Sequence, residues 1–413
     1  MFSFIKRLDR NSWVILYTCF FAFAGNGVFS LTMGSAMPDL KAAYHLTDTV
    51  SGLLLSAHSA GNMIAGFVSA LIPLYLGERR SITLLALLMP LGVLMMIVYG
   101  NPLWLFLGFL FTGFARGSVS NFNNRTVNRL SDGSPAAANL LHSSFAAGAI
   151  LAPMLFLVVR GWLGWRAALG VVLCIGLLCV WRLSRVKLEN DRPDRGDHTN
   201  RTMVFLKNPS FLIQAMMMFF YLCSEYAING WLVTYMQSKE SLLASFSASG
   251  KELTSALASY SQSMATLLWV VILAGRLTCA ALSARVSQKV LMLIASAGVA
   301  VFYGLMLLGS SVPVVTLCVA GLGFCMAGIC PMIYSDAAVF TNAYPMATST
   351  LLAIGSSGAI LMPTIVGALA ERFGFGGGML AIFVTIVLLV LFALLNVVLK
   401  MRLPREAGAQ QAG

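Results

Sequence analysis

Apolar residues run along this chain in long blocks, and short gaps between the blocks hold nearly all of the charge. A helix crossing a bilayer needs about 20 predominantly apolar residues. On that rule twelve blocks are predicted to span: 13–36, 50–76, 82–99, 103–119, 136–159, 165–183, 211–236, 257–282, 290–308, 314–337, 347–369 and 379–399. The first follows Lys6, Arg7 and Arg10, is too long for the core of a cleavable leader, and is not followed by a small-x-small cleavage site. It is therefore expected to stay as the first span, with its start inside.

Composition sharpens the picture. Of 413 residues, 58% are apolar and 10% charged, against roughly 25% charged in a soluble domain. That excludes a disordered or water-soluble chain. The net charge of +12 would suggest nucleic acid in a soluble protein, but no aromatic-basic module accompanies it, and no nucleic-acid partner is expected. The basic residues read instead as topology determinants. With a cytoplasmic N-terminus, nineteen of the 27 fall inside, six outside, and Arg116 and Arg276 within spans. Both termini are thus predicted on the cytoplasmic side of a plasma (inner) membrane. The eight cysteines all lie within apolar blocks without a C-x-x-C pair, as small buried hydrophobes rather than disulfides or metal ligands.

One long polar interruption, rich in both signs of charge around Asp191, Arg192, Asp194 and Arg195, divides the spans six and six. The expected organisation is a first half over 1–186, a solvated linker over 187–208 and a second half over 209–413. The halves repeat. Gly148-Ala149-Ile150-Leu151-Ala152-Pro153 matches Gly358-Ala359-Ile360-Leu361-Met362-Pro363, and Gly61, Ser69 and Ala70 match Gly275, Ser283 and Ala284 at a nearly equal offset. Two parallel six-helix repeats imply a pseudo-two-fold axis along the membrane normal, with a solute cavity near the midplane.

The segment Pro38-Asp39-Leu40-Lys41-Ala42-Ala43-Tyr44, then Leu46-Thr47-Asp48 and Ser51-Gly52-Leu53, resembles the first outer loop and second helix of the major facilitator superfamily. Thr47 or Asp48 is also a good N-cap for that helix. Gly77-Glu78-Arg79-Arg80 is similar to the tail of the superfamily's loop motif, without the preceding Asp-Arg, and Arg285-Val286-Ser287-Gln288-Lys289 is a fragment of it in the second half. Within the superfamily, 124–130, Asn139 to Phe145 with Gly148-Ala149, and Glu225 followed by Trp231 resemble the fucose–proton and sodium–glucose symporter group. Where fucose-type members carry a coupling carboxylate in helix four, this chain has Ser120. The resemblance implies an all-α membrane protein of twelve helices and a secondary transporter.

Ionisable groups in a bilayer core are costly and must face a cavity, a partner or backbone carbonyls. Glu225, with Asn229 one turn on, is expected to bind the coupling cation, a proton or sodium, or solute hydroxyls; a structural hydrogen bond is the plainer alternative. Arg116 is a candidate clamp for an anionic group or a structural pair, and Arg276 a candidate for gating, packing or solute contact. Asn121 and Asn124 share a helix face and suit sugar hydroxyls, or serve as helix–helix glue; Asn123 is a weaker candidate. Asp336 and Arg125 are expected to form an inner gate. His142, and less so His58, are candidate proton carriers. Asn26, between Gly25 and Gly27, is placed for close solute approach. Trp231 and Tyr334 are candidate stacking platforms, and Asn62 and Gln262 further polar candidates.

Nothing points to an enzyme. There is no Walker sequence, no His-Glu-x-x-His and no Gly-x-Ser-x-Gly, and the glycines at 374 and 376–378 read as a turn before the last span. No cofactor or metal is expected beyond the coupling ion. The expected activity is cation-coupled symport of a sugar or sugar derivative by a monomer rocking in lipid, with proton-coupled efflux of an amphiphilic or anionic compound as the alternative.

Overall fold

The computed structural model describes residues 9–131, 135–186, 204–247, 253–282 and 285–402. Among them every regular element is helical. The helices are α1 (Arg10–Tyr44), α2 (Asp48–Leu76), α3 (Glu78–Val98), α4 (Pro102–Leu130), α5 (Pro135–Leu163), α6 (Trp165–Arg185), α7 (Pro209–Ser238), α8 (Glu240–Ser247), α9 (Leu253–Leu282), α10 (Gln288–Leu308), α11 (Val312–Met326), α12 (Ile329–Asp336), α13 (Ala338–Ala343) and α14 (Pro345–Arg402). A single 3-10 turn, Val204–Lys207, leads into α7.

Eleven of these stretches are long and apolar enough to cross a membrane among the described residues. The twelfth span lies inside α14. At 1.5 Å per residue its 58 residues would reach about 87 Å, more than twice a hydrocarbon core. Gly374 breaks it, at φ 75° and ψ 168°, a backbone only glycine adopts freely. The predicted glycine turn is thus one residue wide, since Gly376, Gly377 and Gly378 are already helical. The predicted tenth span is realised as α11, α12 and part of α13, interrupted near Gly328.

Caps explain several boundaries. Asp9 accepts from the Ser12 and Asn11 amides at 3.1 and 3.3 Å and starts α1. Thr47, one of the two expected caps, accepts from the Val50 amide at 3.3 Å. Asp48 instead pairs with Lys41 at 2.5 Å. Helix α1 runs past the predicted end of its span, through Pro38, to Tyr44. Proline is tolerated there, but it has no N–H for the carbonyl one turn back.

The chain divides into two compact units, Met1–Gly196 with Asn229–Val270, and Asp197–Ile228 with Val271–Gly413. The division passes through α7 and α9 rather than through a loop. In the first unit α2 packs on α4, α1 on α5, and α3 on α4 and α6. In the second, α10 packs on α11 and α14. Leu103, Trp162, Leu163, Leu308 and Val339 are exposed apolar side chains close to helix ends.

The sequence repeat has a packing counterpart. A side chain at Gly61 would strike the Leu110 carbonyl, and one at Gly275 the Phe324 carbonyl. Both the glycine and the carbonyl it meets recur 214 residues later. Likewise Gly148 of α5 lies against the Ala24 carbonyl of α1, and Gly358 of α14 against the Phe219 carbonyl of α7. Small residues let helix backbones approach closely where dispersion, rather than water exclusion, drives association.

Candidate functional site

In the first unit, four predicted residues fall along one aromatic chain. Asn26 of α1 is fully buried and its Nδ2 donates to the Arg116 carbonyl of α4 at 3.1 Å. The Arg116 guanidinium lies 5.6 Å from the centre of the Phe145 ring. A cation over an aromatic face contributes about 0.5–2 kcal/mol, more where water is excluded. Phe145 meets Trp269 edge-on at 5.7 Å and Phe23 at 5.8 Å, and Phe23 meets the His142 ring at 5.5 Å. The Trp269 indole donates from Nε1 to Asn229 Oδ1 at 3.2 Å. Because indole is only a donor, this bond fixes the amide with its NH2 turned away from the ring.

The helices are held together here by the same close approaches that mark the repeat. A side chain at Gly34 of α1 would strike the Asn229 carbonyl of α7, and Gly27 lies against the Phe145 carbonyl of α5. Gln262 of α9 reaches α1 as well, its Nε2 donating to the Ser35 carbonyl at 2.9 Å.

The second unit holds a different set. Glu225 is half-buried on α7. The buried Tyr221 hydroxyl donates to the Met326 carbonyl at 3.3 Å and lies within side-chain hydrogen-bond reach of Glu225. Arg276, Cys330 and Tyr334 share this electrostatic neighbourhood. The charges of Glu225 and Arg276 both act on the Tyr221 hydroxyl, and that of Glu225 also acts on Tyr334.

The remaining predicted residues sit elsewhere. Asn121 donates to Ser69 Oγ at 3.0 Å, and Asn124 donates to its own helix at Ser120. Arg125 is exposed and borders a small open cleft lined also by Ser69, Glu78 and Ser118. Asp336 belongs to a network in its own unit: an ion pair to Lys289 at 3.4 Å, and hydrogen bonds from Gln214 at 2.8 Å and Asn396 at 3.0 Å. His58 is buried with Nδ1 3.1 Å from Thr112 Oγ1. Trp231 is fully buried. Among the described residues no group of three or more His, Cys, Asp or Glu gathers to hold a metal.

Sequence reasoning missed Phe145, Trp269, Phe23 and Lys289. The three aromatics lie in apolar blocks rich in such residues, and only Phe145 carried a signal, as the end of a stretch that resembles the symporter group. Lys289 was visible only as a loop-motif fragment.

Comparison with known proteins agrees with this architecture. A membrane protein of Rhizobium meliloti, MosC, is 26% identical over 368 residues, covering 88% of this chain and 85% of its own. The nucleoside transporter NupG, solved as a point mutant, superposes with a TM-score of 0.76 at 13% identity, covering 94% of this chain and all of that one. An inward-facing, occupied bacterial homolog of the human lysosomal transporter Spinster gives 0.72 at 16% identity, over 94% and 97%. At such identities the structures speak for the fold alone. Residues 16–261 match the family model of the Major Facilitator Superfamily. The chain is a multi-pass membrane transporter rather than an enzyme, and it belongs to the Major Facilitator Superfamily.

Proposed function

We propose that this transporter carries a sugar or sugar derivative, coupled to a cation and moved by alternating access, with both termini on the cytoplasmic side of the inner membrane. The observation that carries the reading is the linked set Asn26, Arg116, Phe145, Trp269 and Asn229. Aromatic rings offer faces to the apolar side of a pyranose or to a base, while an oriented amide and a guanidinium offer hydrogen-bond donors to hydroxyls. Nucleosides, named for the NupG relative, are sugar derivatives with both features. Glu225, with Tyr221 and Arg276 around it, is the group assigned to coupling or gating, and His142 flanks the aromatic set.

The test is uptake of labelled hexoses and nucleosides into proteoliposomes under imposed sodium or proton gradients. Accumulation is expected for at least one of them, driven by one gradient. Asn229→Ala should reduce it at least tenfold, and Trp269→Phe, which frees the amide to turn over, should relax selectivity among solutes. Uptake indifferent to both gradients removes the symport claim. Arg116 and Arg276 favour a second reading, efflux of an anionic compound; outward movement of an organic anion against its gradient, with no sugar or nucleoside uptake, would establish it instead.

A further inference from the structure

We infer that the first unit contains a sodium site formed by the Gly34 carbonyl, Ser35 Oγ and Gln262 Oε1. Ser35 and Gln262 are 1% and 2% exposed, and neither Ser35 Oγ nor Gln262 Oε1 has a hydrogen-bond partner among the described residues. Leaving such atoms unmatched in a protein interior is costly, and each calls for an explanation.

Three features leave oxygen lone pairs unmatched here. First, Gln262 Nε2 donates to the Ser35 carbonyl at 2.9 Å. A carbonyl only accepts, so the amide is held with its oxygen free. Second, serines and threonines in these helices commonly bond back to the carbonyl four residues earlier, as Thr18, Thr32, Ser118 and Ser261 do. Ser35 does not, so its hydroxyl is left for another partner. Third, Pro38 stands four residues after Gly34 within α1 and has no N–H to give its carbonyl. A backbone carbonyl, a hydroxyl and an amide oxygen on adjoining positions form a neutral, hard-oxygen set. Freed helix carbonyls and neutral side-chain oxygens suit sodium in transporters, whereas a proton needs a group that titrates. Asp39 follows Pro38 but is paired with Arg160 at 2.7 Å.

The place matters for transport. Gly34 abuts the Asn229 carbonyl, and the Asn229 side chain is the one held by Trp269. Ion and solute would thus act on the same crossing of α1, α7 and α9, and binding of either would favour the other by an equal factor. That coupling role rests on the proposed symport; sodium binding itself does not.

The experiment is thermal unfolding of the full-length protein in detergent without solute, in sodium, potassium or choline chloride at equal ionic strength. A saturable rise in Tm of several degrees is expected in sodium alone. Gln262→Leu and Ser35→Ala should each abolish or sharply reduce it, and Gln262→Glu should retain it. Direct binding of labelled sodium to the wild type gives the same answer should Gln262→Leu not fold. Equal Tm in the three salts together with no sodium binding overturns the site and leaves a buried water as its occupant. A sodium shift in a protein whose uptake ignores sodium keeps the site and removes only the coupling.

Discussion

The two units use one helix arrangement but treat charge at corresponding ends differently. At the start of α3, Arg79 donates from Nη2 and Nε to the Ser184 carbonyl at the end of α6, at 2.6 and 3.1 Å. At the start of α10, Lys289 donates to the Asn396 carbonyl and Oδ1 near the end of α14, at 3.3 and 2.7 Å. The geometry recurs, a cation at the head of the third helix of each set reaching the tail of the sixth. The surroundings do not. Arg79 is exposed, and the nearby Glu78–Arg129 pair at 3.3 Å has Arg129 largely in solvent. Lys289 and Asp336 are each only 11% exposed, and Gln214 and Asn396 close the network around them. A duplicated scaffold therefore keeps its backbone contacts while its polar content is free to change, and what changes is how much each contact is worth.

The largest expected effect comes from breaking the buried network. Asp336→Ala leaves Lys289 without its carboxylate and should cost about 3–5 kcal/mol, read as a large fall in Tm in detergent. Arg79→Ala at the matching place should cost no more than about 1 kcal/mol. Equal losses would mean that the two ends are not the contrast described. Next come the glycines. Gly61→Ala and Gly275→Ala should each cost about 1–3 kcal/mol by forcing paired helices apart, and by similar amounts. A loss at one alone would break the packing equivalence.

The smallest effect is at the N-terminal cap. Hydrogen bonds from Ser12 lower the pKa of the exposed Asp9. Because the folded-state value is depressed, its stabilisation is complete above the ordinary aspartate pKa of about 4 and is lost as pH falls through the lowered value. Asp9→Ala should therefore fray the start of α1 at neutral pH and make no difference in strong acid, checked by helical signal against pH.

Spans, repeat and family were legible because a bilayer imposes one length and one composition on every crossing. Helix extent was not: hydropathy reports where lipid lies, so α1 outruns its apolar block to Tyr44, and α8 follows α7 without a span of its own. Of the site, Asn26, Arg116 and Asn229 were readable as polar groups where polarity is expensive. Their link through Phe145 and Trp269 was not, since an aromatic in an apolar block looks alike whether it fills a core or lines a site. Nor was the Asp336 network, whose other members lie 47 to 122 residues from Asp336 along the chain.

The one-residue break at Gly374 has a practical consequence. Some neighbouring crossings are joined by several residues that an enzyme or a reagent can grip, as at 99–101, whereas Gly77 and Gly164, both at positive φ, each join two helices alone. Between the last two there is a single bent peptide, with helix resuming at once on either side. A cleavage sequence, epitope or fluorophore inserted there would have to unwind two crossings to be presented, so this transporter is better labelled where several residues separate the helices, as at 99–101 and 309–311.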